Sequence, residues 1–496
     1  MGWSIVTRRA GLAAAVALGG FLALLLADGF GRGNVVTGDT QALVDGTRVA
    51  LRCLADGELT RCGRPPGTVV TNVYAYPLLQ YLPAGALVGL GLGDDAVARG
   101  LAVVNMSAFL GALGCVAVLG RRVLAGWTPV LLAVVLCSPL LYYATAGFGE
   151  MLAGFLALTF VAAVACRRPV AAAVTLVLAC LGKEAFAPVL VGLGLACAFA
   201  PAGPGPGRRR MVGAVLAGGA AGVAVTMAFN VFRFGSPLNL FYLDDRHRPT
   251  GLRWVLSSFG GLWAAPGGGL AWFWAPAVAV LALAAVVAVR RRLLPLGAVL
   301  GLFVAFQAGL ALWPYPFGWI AWGPRLTVPL VPAVVVAAAC TGGGPLRAAL
   351  DRGARSLPAA AAVGAVLVAG AAVHAGAVWN YPKAVHALVS PAAGCPPLQS
   401  LPPPPDGRFY RCQHEVMWRW RPSFLAGAAS SDRLPARAAQ VALAAGLVSL
   451  VLVWRAGAVA QGVGGGAGQG LATDAAMRAA AAGSAGRGGP ASSTWG

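Results

Sequence analysis

Charge is what this 496-residue chain has least of: Asp, Glu, Lys and Arg together make up 11% of it, and only 16 of those residues are acidic. A soluble domain must clothe itself in polar groups, and a composition 58% hydrophobic with a mean hydropathy of +0.75 excludes one. Apolar–polar alternation is missing too, so the long Ala/Val/Leu/Gly runs cannot be the strands of a membrane barrel. With backbone groups that must be satisfied inside the bilayer, helices are the remaining solution. Cysteines with metal-ligand spacing are also absent. No small-x-small cleavage site follows Leu26, so the first apolar run reads as an uncleaved signal anchor.

What is present is a series of runs near bilayer length, separated by arginine clusters at Arg8-Arg9, Arg121-Arg122, Arg167-Arg168, Arg208 to Arg210, Arg290 to Arg292, Arg347/Arg352/Arg355 and Arg455. A net charge of +21 would suggest nucleic acid in a soluble protein. Clusters set between apolar runs orient helices instead, and nucleic acid is not an expected partner. If every cluster is cytoplasmic, the spans pair out and back as 10–27, 98–119, 128–144, 150–166, 169–183, 185–200, 212–231, 271–289, 293–312, 326–340, 357–378 and 436–454. The expectation is an all-α polytopic protein of about twelve transmembrane helices with both termini inside. The inner segments then hold 18 basic and 2 acidic residues against 19 and 14 outside. The acids are thus nearly all outside, and the compact arginine clusters inside carry the orientation.

This topology makes residues 1–455 one transmembrane domain with outer loops at 28–96, 233–270 and 379–435, followed by a Gly/Ala-rich cytoplasmic tail, 456–496, expected to be disordered. Within the first loop, Tyr76 to Leu92 is apolar but broken by Pro77 and Pro83, which predicts an interfacial or re-entrant helix. The third loop has prolines at 402 to 405 and the segment Trp418-Arg419-Trp420-Arg421, suited to headgroups or a glycan. Six cysteines (Cys115, Cys137, Cys166, Cys180, Cys197 and Cys340) lie in or beside spans and serve as small apolar residues. Cys53 with Cys62, and Cys395 with Cys412, share outer loops and are disulfide candidates in an oxidising compartment.

Ionisable residues at the outer ends of spans stand out in so apolar a chain. Asp39 closes Thr37-Gly38-Asp39 shortly past the first span, where a carboxylate is placed for chemistry at the lipid surface. Glu150 opens the fourth span, where a carboxylate also suits the helix dipole. Lys183-Glu184 interrupts an apolar stretch too long for one span and so marks a tight outer turn, with charges that need a partner or a task at that depth. Arg233 and Arg325 are lone arginines at outer helix ends beside aromatics. Each can snorkel to headgroups, and each has the planar fork that grips phosphate.

Five segments resemble a family, the GT-C membrane glycosyltransferases, and within it the protein mannosyltransferase-like and aminoarabinose-transferase-like group that uses polyprenyl-phosphate sugars. They are Thr37-Gly38-Asp39 with Asp56-Gly57-Glu58-Leu59, Pro139 to Tyr143 with Glu150, Gly182-Lys183-Glu184, Asn230 to Pro237, and Trp322-Gly323-Pro324-Arg325, in that order over most of residues 1 to 340. The resemblance implies a GT-C-like fold whose extracytoplasmic loops carry interfacial helices. It also implies inverting transfer of a sugar from a polyprenyl-phosphate donor to a glycan, lipid or protein acceptor at the outer face of the membrane. The Ala/Gly/Arg-heavy composition, that of a GC-rich bacterial genome, makes a bacterial cytoplasmic membrane the expected location. Asp39 would be the general base, Arg325, Arg233 and Lys183 would hold the leaving phosphate, and Glu150 and Glu184 would line the substrate site. Where relatives carry a second acid right after the loop Asp, Thr40 and Gln41 follow here. No cofactor or metal is expected, with a divalent ion at the leaving phosphate left open. Two other classes compete: a twelve-span lipid or solute transporter, and a non-catalytic binder of lipid-linked sugar.

Overall fold

The computed structural model describes residues 2–29, 38–60, 62, 76–124, 126–147, 149–200, 206–239, 251–313, 316–317, 323–389, 414–415, 417–418, 429–430 and 433–484; side chains at 2–7, 28–29, 38–39, 122, 206, 380–389 and 461–484 lie outside the description. Cys395, Cys412 and the Pro402 to Pro405 run fall outside it, as do Thr37 and Trp322.

Every secondary-structure element among the described residues is a helix. Helix α1 (Gly2–Leu24) continues in a π turn and packs along the last long helix, where the Gly446 backbone sits against Leu18. Then come α2 (Gly38–Ala55), α3 (Leu78–Gly89), α4 (Asp94–Arg122), α5 (Thr128–Leu136), α6 (Leu140–Thr145) and α7 (Glu150–Ala165). Helix α8 (Pro169–Gly182) turns through a 3-10 segment (Glu184–Phe186) into α9 (Ala187–Phe199), and α10 (Pro206–Phe234) follows. The second half holds α11 (Leu252–Ala264), α12 (Leu270–Phe273), α13 (Ala275–Arg291), α14 (Leu294–Ala311), α15 (Val331–Arg355), α16 (Leu357–Val389) and α17 (Leu434–Ser484).

Seven of these are long and apolar enough to cross a membrane: α1, α4, α10, α14, α15, α16 and α17. Shorter apolar helices, including α7, α8 and α9, fill the interior. Twelve spans are therefore not twelve uniform rods, and particular residues account for the shortfall. The expected span 128–144 is split because Pro139 has no N–H to donate and disfavours helical geometry at Ser138. The Ser138 hydroxyl repairs the break, donating to the Val135 carbonyl at 2.5 Å and accepting from the Leu140 N–H at 3.2 Å. The expected span 326–340 begins late, at Val331, and runs on past a kink at Gly343, whose φ of +47° suits glycine. Beyond the kink, the segment expected to be the Arg347/Arg352/Arg355 loop is helical. The expected boundary at 455 also falls inside a helix, since α17 reaches Ser484.

Helix α3 is twelve residues long with Pro83 inside it, roughly 18 Å at 1.5 Å per residue, and so falls short of the bilayer core. The polar helix α2 sets Leu43 and Val44 against Tyr81 and Ala84 of α3 and Val97 and Leu101 of α4. Gln41 donates to Asp94 at 3.1 Å, and Arg48 pairs with the other oxygen of that carboxylate, fastening α2 to the start of α4. This small cap sits at the end of the bundle that carries Glu150.

The opposite end gathers the arginines. Arg167 donates to the Ala198 carbonyl at 3.4 Å, the Arg208 guanidinium lies 5.5 Å from the Phe199 ring, and Arg355 donates to the Ala458 carbonyl at 3.0 Å. The Gly126 turn, next to Arg121 and Arg122, packs on the guanidinium of Arg347. One end of the bundle is rich in arginine and the other holds Asp94, Glu150 and Glu184 in ion pairs.

Candidate functional site

Glu150 is the first residue of α7, and its carboxylate is 1% exposed. A charge that deep needs counterions, and two other segments supply them. Arg325 Nε donates to Glu150 Oε1 at 2.7 Å, and Lys183 Nζ approaches the same oxygen at 3.3 Å. Glu150 Oε2 is buried with no hydrogen-bond partner among the described residues.

Local sequence explains how the three meet. Gly323 has φ +72°, and a Cβ there would press on Pro139 and Phe273 at 3.2 and 3.3 Å. Glycine is therefore required to turn the chain into Pro324 and swing Arg325 inward. Gly149 plays a steric part, because a Cβ at that position would lie 2.2 Å from the carboxamide of buried Gln80. On the other side of this junction, Asn105 from α4 donates to the Ala146 carbonyl at 2.7 Å. Gln80 and Asn105 thus clamp the bend that presents Glu150. Neither was singled out from sequence, although a lone amide in an apolar run was the available signal.

Arg233 and Glu184 form a second, adjacent network. Arg233, 1% exposed, donates from Nη2 to Glu184 Oε1 at 2.5 Å and to Asn230 Oδ1, and from Nη1 to the Tyr76 carbonyl at 2.7 Å. Its guanidinium carbon lies 4.4 and 4.7 Å from the ring centres of Phe229 and Phe234. Asn239 donates to Glu184 Oε2 at 2.9 Å, and Asn230 donates to the Pro237 carbonyl at 3.1 Å. The Asn230 to Pro237 segment is therefore a structural knot in which the guanidinium is largely engaged with protein groups. Because Lys183 and Glu184 are consecutive, one turn feeds both networks.

The segment that follows α2 is tied to the same place. Cys53 and Cys62 form a disulfide, as expected from their shared loop, and the Cys62 N–H donates to the Phe232 carbonyl at 3.0 Å, beside Arg233. Asp39 lies in the first turn of α2, and its side chain is outside the described residues. Leu43, one turn further on, lines a small cleft together with Gln80, Asn105, Gly149 and Leu152, so α2 begins close to the Glu150 junction.

From the cationic cluster an apolar groove of about 560 Å³ runs between α9 and α14. Lys183, Glu184 and Leu326 stand at its head, and Phe186, Val189, Phe306 and Leu310 line it. An ammonium at the mouth of a hydrocarbon slot suits an amphiphile with an anionic head and an apolar tail. No group of three or more His, Cys, Asp or Glu placed to hold a metal occurs among the described residues.

The site residues thus fall into three sets: Glu150, Lys183 and Arg325 together; Glu184 with Arg233 beside them; and Asp39 on the cap. No protein-family model and no curated protein matches the sequence. Two solved structures resemble it, ArnT from Cupriavidus metallidurans in the apo state and ArnT from the same organism bound to undecaprenyl phosphate. Each is 15% identical over 92% of this chain and 78% of that one, with TM-scores of 0.43 and 0.44. Likeness at this level assigns no role to any residue here.

Proposed function

We propose that the chain is a membrane glycosyltransferase that moves a sugar from a polyprenyl-phosphate donor to an acceptor at the end of the bundle opposite the arginine clusters. The observation that carries this reading is that Lys183 both pairs with the buried Glu150 and lines the head of the apolar groove. A polyprenyl phosphate has the matching shape, a phosphate for the cations and an isoprenoid chain for the slot. The five segments that resemble the GT-C group supply the reaction class.

In this reading the acceptor hydroxyl attacks the anomeric carbon from the face opposite the phosphate, the bond to the phosphate oxygen breaks, and the configuration inverts. Asp39 accepts the hydroxyl proton, a role commonly contributing about 10²- to 10⁴-fold in rate. Lys183 and Arg325 stabilise the charge that develops on the departing phosphate, and their fixed positions mean that little reorganisation accompanies the step. Glu150 holds both cations in place. Arg233 with Glu184 braces the turn that carries Lys183. In this reading the arginine-rich end lies in the cytoplasm and the site on the other side, an orientation that the positive-inside rule supports.

The test is donor binding and turnover in parallel. With purified full-length chain and a polyprenyl-phosphate sugar, Asp39→Asn is expected to bind donor like the parent while losing transfer, and Lys183→Ala is expected to weaken donor binding. If Asp39→Asn transfers sugar at the parental rate, the catalytic assignment fails. If the chain instead moves lipid or solute with Asp39→Asn unimpaired, it is a transporter; if the parent binds donor without transfer to any acceptor, it is a binder of lipid-linked sugar.

A further inference from the structure

A second cavity, of about 490 Å³, shares no lining residue with the groove beside Lys183 and lies among α5, α13, α15, α16 and α17. Ala133, Ala279, Leu350, Val363, Val366 and Trp454 are among its walls, and every lining residue is apolar or glycine. Its position follows from its neighbours. Ala349, Leu350 and Gly353 belong to the part of α15 beyond the Gly343 kink, and Trp454 precedes Arg455. The cavity therefore reaches the basic end of the bundle, while Ala275 and Pro276, at the start of α13, carry its walls away from Arg290 and Arg291 toward the middle.

Two independent features say what such a cavity holds. The first is charge: Arg347, Arg352, Arg355 and Arg455 lie within a few residues of the lining, against one carboxylate, Asp351, which Arg347 already engages at 2.9 Å. The second is Trp454, 8% exposed, whose buried indole N–H has no hydrogen-bond partner among the described residues. A buried donor left unmet costs free energy, and an ester carbonyl or phosphate oxygen would meet it. Hydrocarbon walls, an unmet donor and a cationic rim match three parts of one molecule, its acyl chain, its ester linkage and its anionic head.

We propose that this cleft binds one anionic phospholipid, with an acyl chain between α13 and α16 and the headgroup among the arginines beyond the Gly343 kink. Basic pockets between transmembrane helices on the cytoplasmic side take such headgroups. The occupant would brace α15 and α17, which the bond from Arg355 to the Ala458 carbonyl also ties together at this end.

The experiment uses the full chain, extracted in mild detergent and examined by native mass spectrometry, then delipidated and titrated with phosphatidylglycerol or phosphatidylcholine of matched chains while thermal unfolding is followed. The expected result is retained anionic phospholipid and stabilisation by phosphatidylglycerol but not by phosphatidylcholine. Val363→Trp, which fills the cleft from its exposed rim, should abolish retention. Arg352→Gln, an exposed change that leaves the cleft intact, should weaken phosphatidylglycerol about fivefold, the worth of one arginine at a membrane surface. Equal stabilisation by both lipids, retention of a polyprenyl lipid only, or undiminished phosphatidylglycerol binding in Arg352→Gln would each overturn the proposal. Should Val363→Trp fail to fold, Arg352→Gln still decides.

Discussion

Arg325 Nε donates to Glu150 Oε1 at 2.7 Å across 175 residues of sequence. The same oxygen faces Lys183 at 3.3 Å, so one carboxylate from α7 fixes two cations delivered by two other segments. Such a triad is fragile by construction, because removing any member leaves a buried charge with too few partners.

Glu150→Gln is therefore expected to destabilise the protein by about 3–5 kcal/mol, the usual consequence of breaking a buried ion pair from one side. Arg325→Ala should have a similar cost, and the double substitution should cost less than the sum of the two. A double-mutant cycle on thermal unfolding in detergent measures this coupling. Additive effects would mean that the two side chains do not act on each other.

Arg233 predicts a different pattern. Its guanidinium is engaged by Glu184, Asn230 and the Tyr76 carbonyl between two aromatic rings, geometry that an ammonium cannot reproduce. Arg233→Lys should lower the unfolding midpoint while leaving the donor KM of the surviving folded protein within about twofold, where Lys183→Ala should raise that KM at least tenfold, a loss near 1.4 kcal/mol. The opposite split would make Arg233 a direct phosphate ligand.

The disulfide between Cys53 and Cys62 closes a short loop against the end of α10. Loop-closure entropy puts its loss in Cys53→Ser at about 3 kcal/mol. In intact cells, a membrane-impermeant maleimide should label this pair only after reduction. Labelling without reduction would show free thiols, and labelling that needs membrane permeabilisation would place the loop on the wrong side.

His414 packs on Trp254 with ring centres 4.5 Å apart and planes tilted by 35°, and burial holds its pKa below the usual 6.5 although Glu415 pulls the other way. The folded imidazole thus binds fewer protons than the unfolded one, so stability falls as the pH drops through about 6.5 and levels off below the folded value. The unfolding midpoint of the parent should decline between pH 7.5 and 5.5 by more than that of His414→Phe. Parallel pH profiles would exclude this residue as the source.

The helical architecture was legible in the sequence because hydropathy alone decides it, and seven of the twelve expected spans fall on helices long and apolar enough to cross a membrane. The departures at Ser138-Pro139 and Gly343 have local causes, a missing N–H and a left-handed φ, that run-length counting does not weigh. Glu150, Lys183, Glu184, Arg233 and Arg325 could be picked out since ionisable residues are costly near a bilayer. Their partnership could not: Arg233 pairs with Glu184 rather than joining Lys183 and Arg325, and Gln80 and Asn105, which clamp the junction, look like incidental amides until the helices are packed.

By itself, then, the sequence determined that this chain is a bundle of membrane helices with one end rich in arginine and a few ionisable residues near the other, because transfer of apolar side chains and of charge is a local property of each segment. Only the tertiary structure decided which cation meets which acid, that an apolar groove opens beside Lys183, and that a second cleft reaches the basic end. Those depend on contacts between residues far apart in the chain, and the energy of a contact does not exist until both partners are in place.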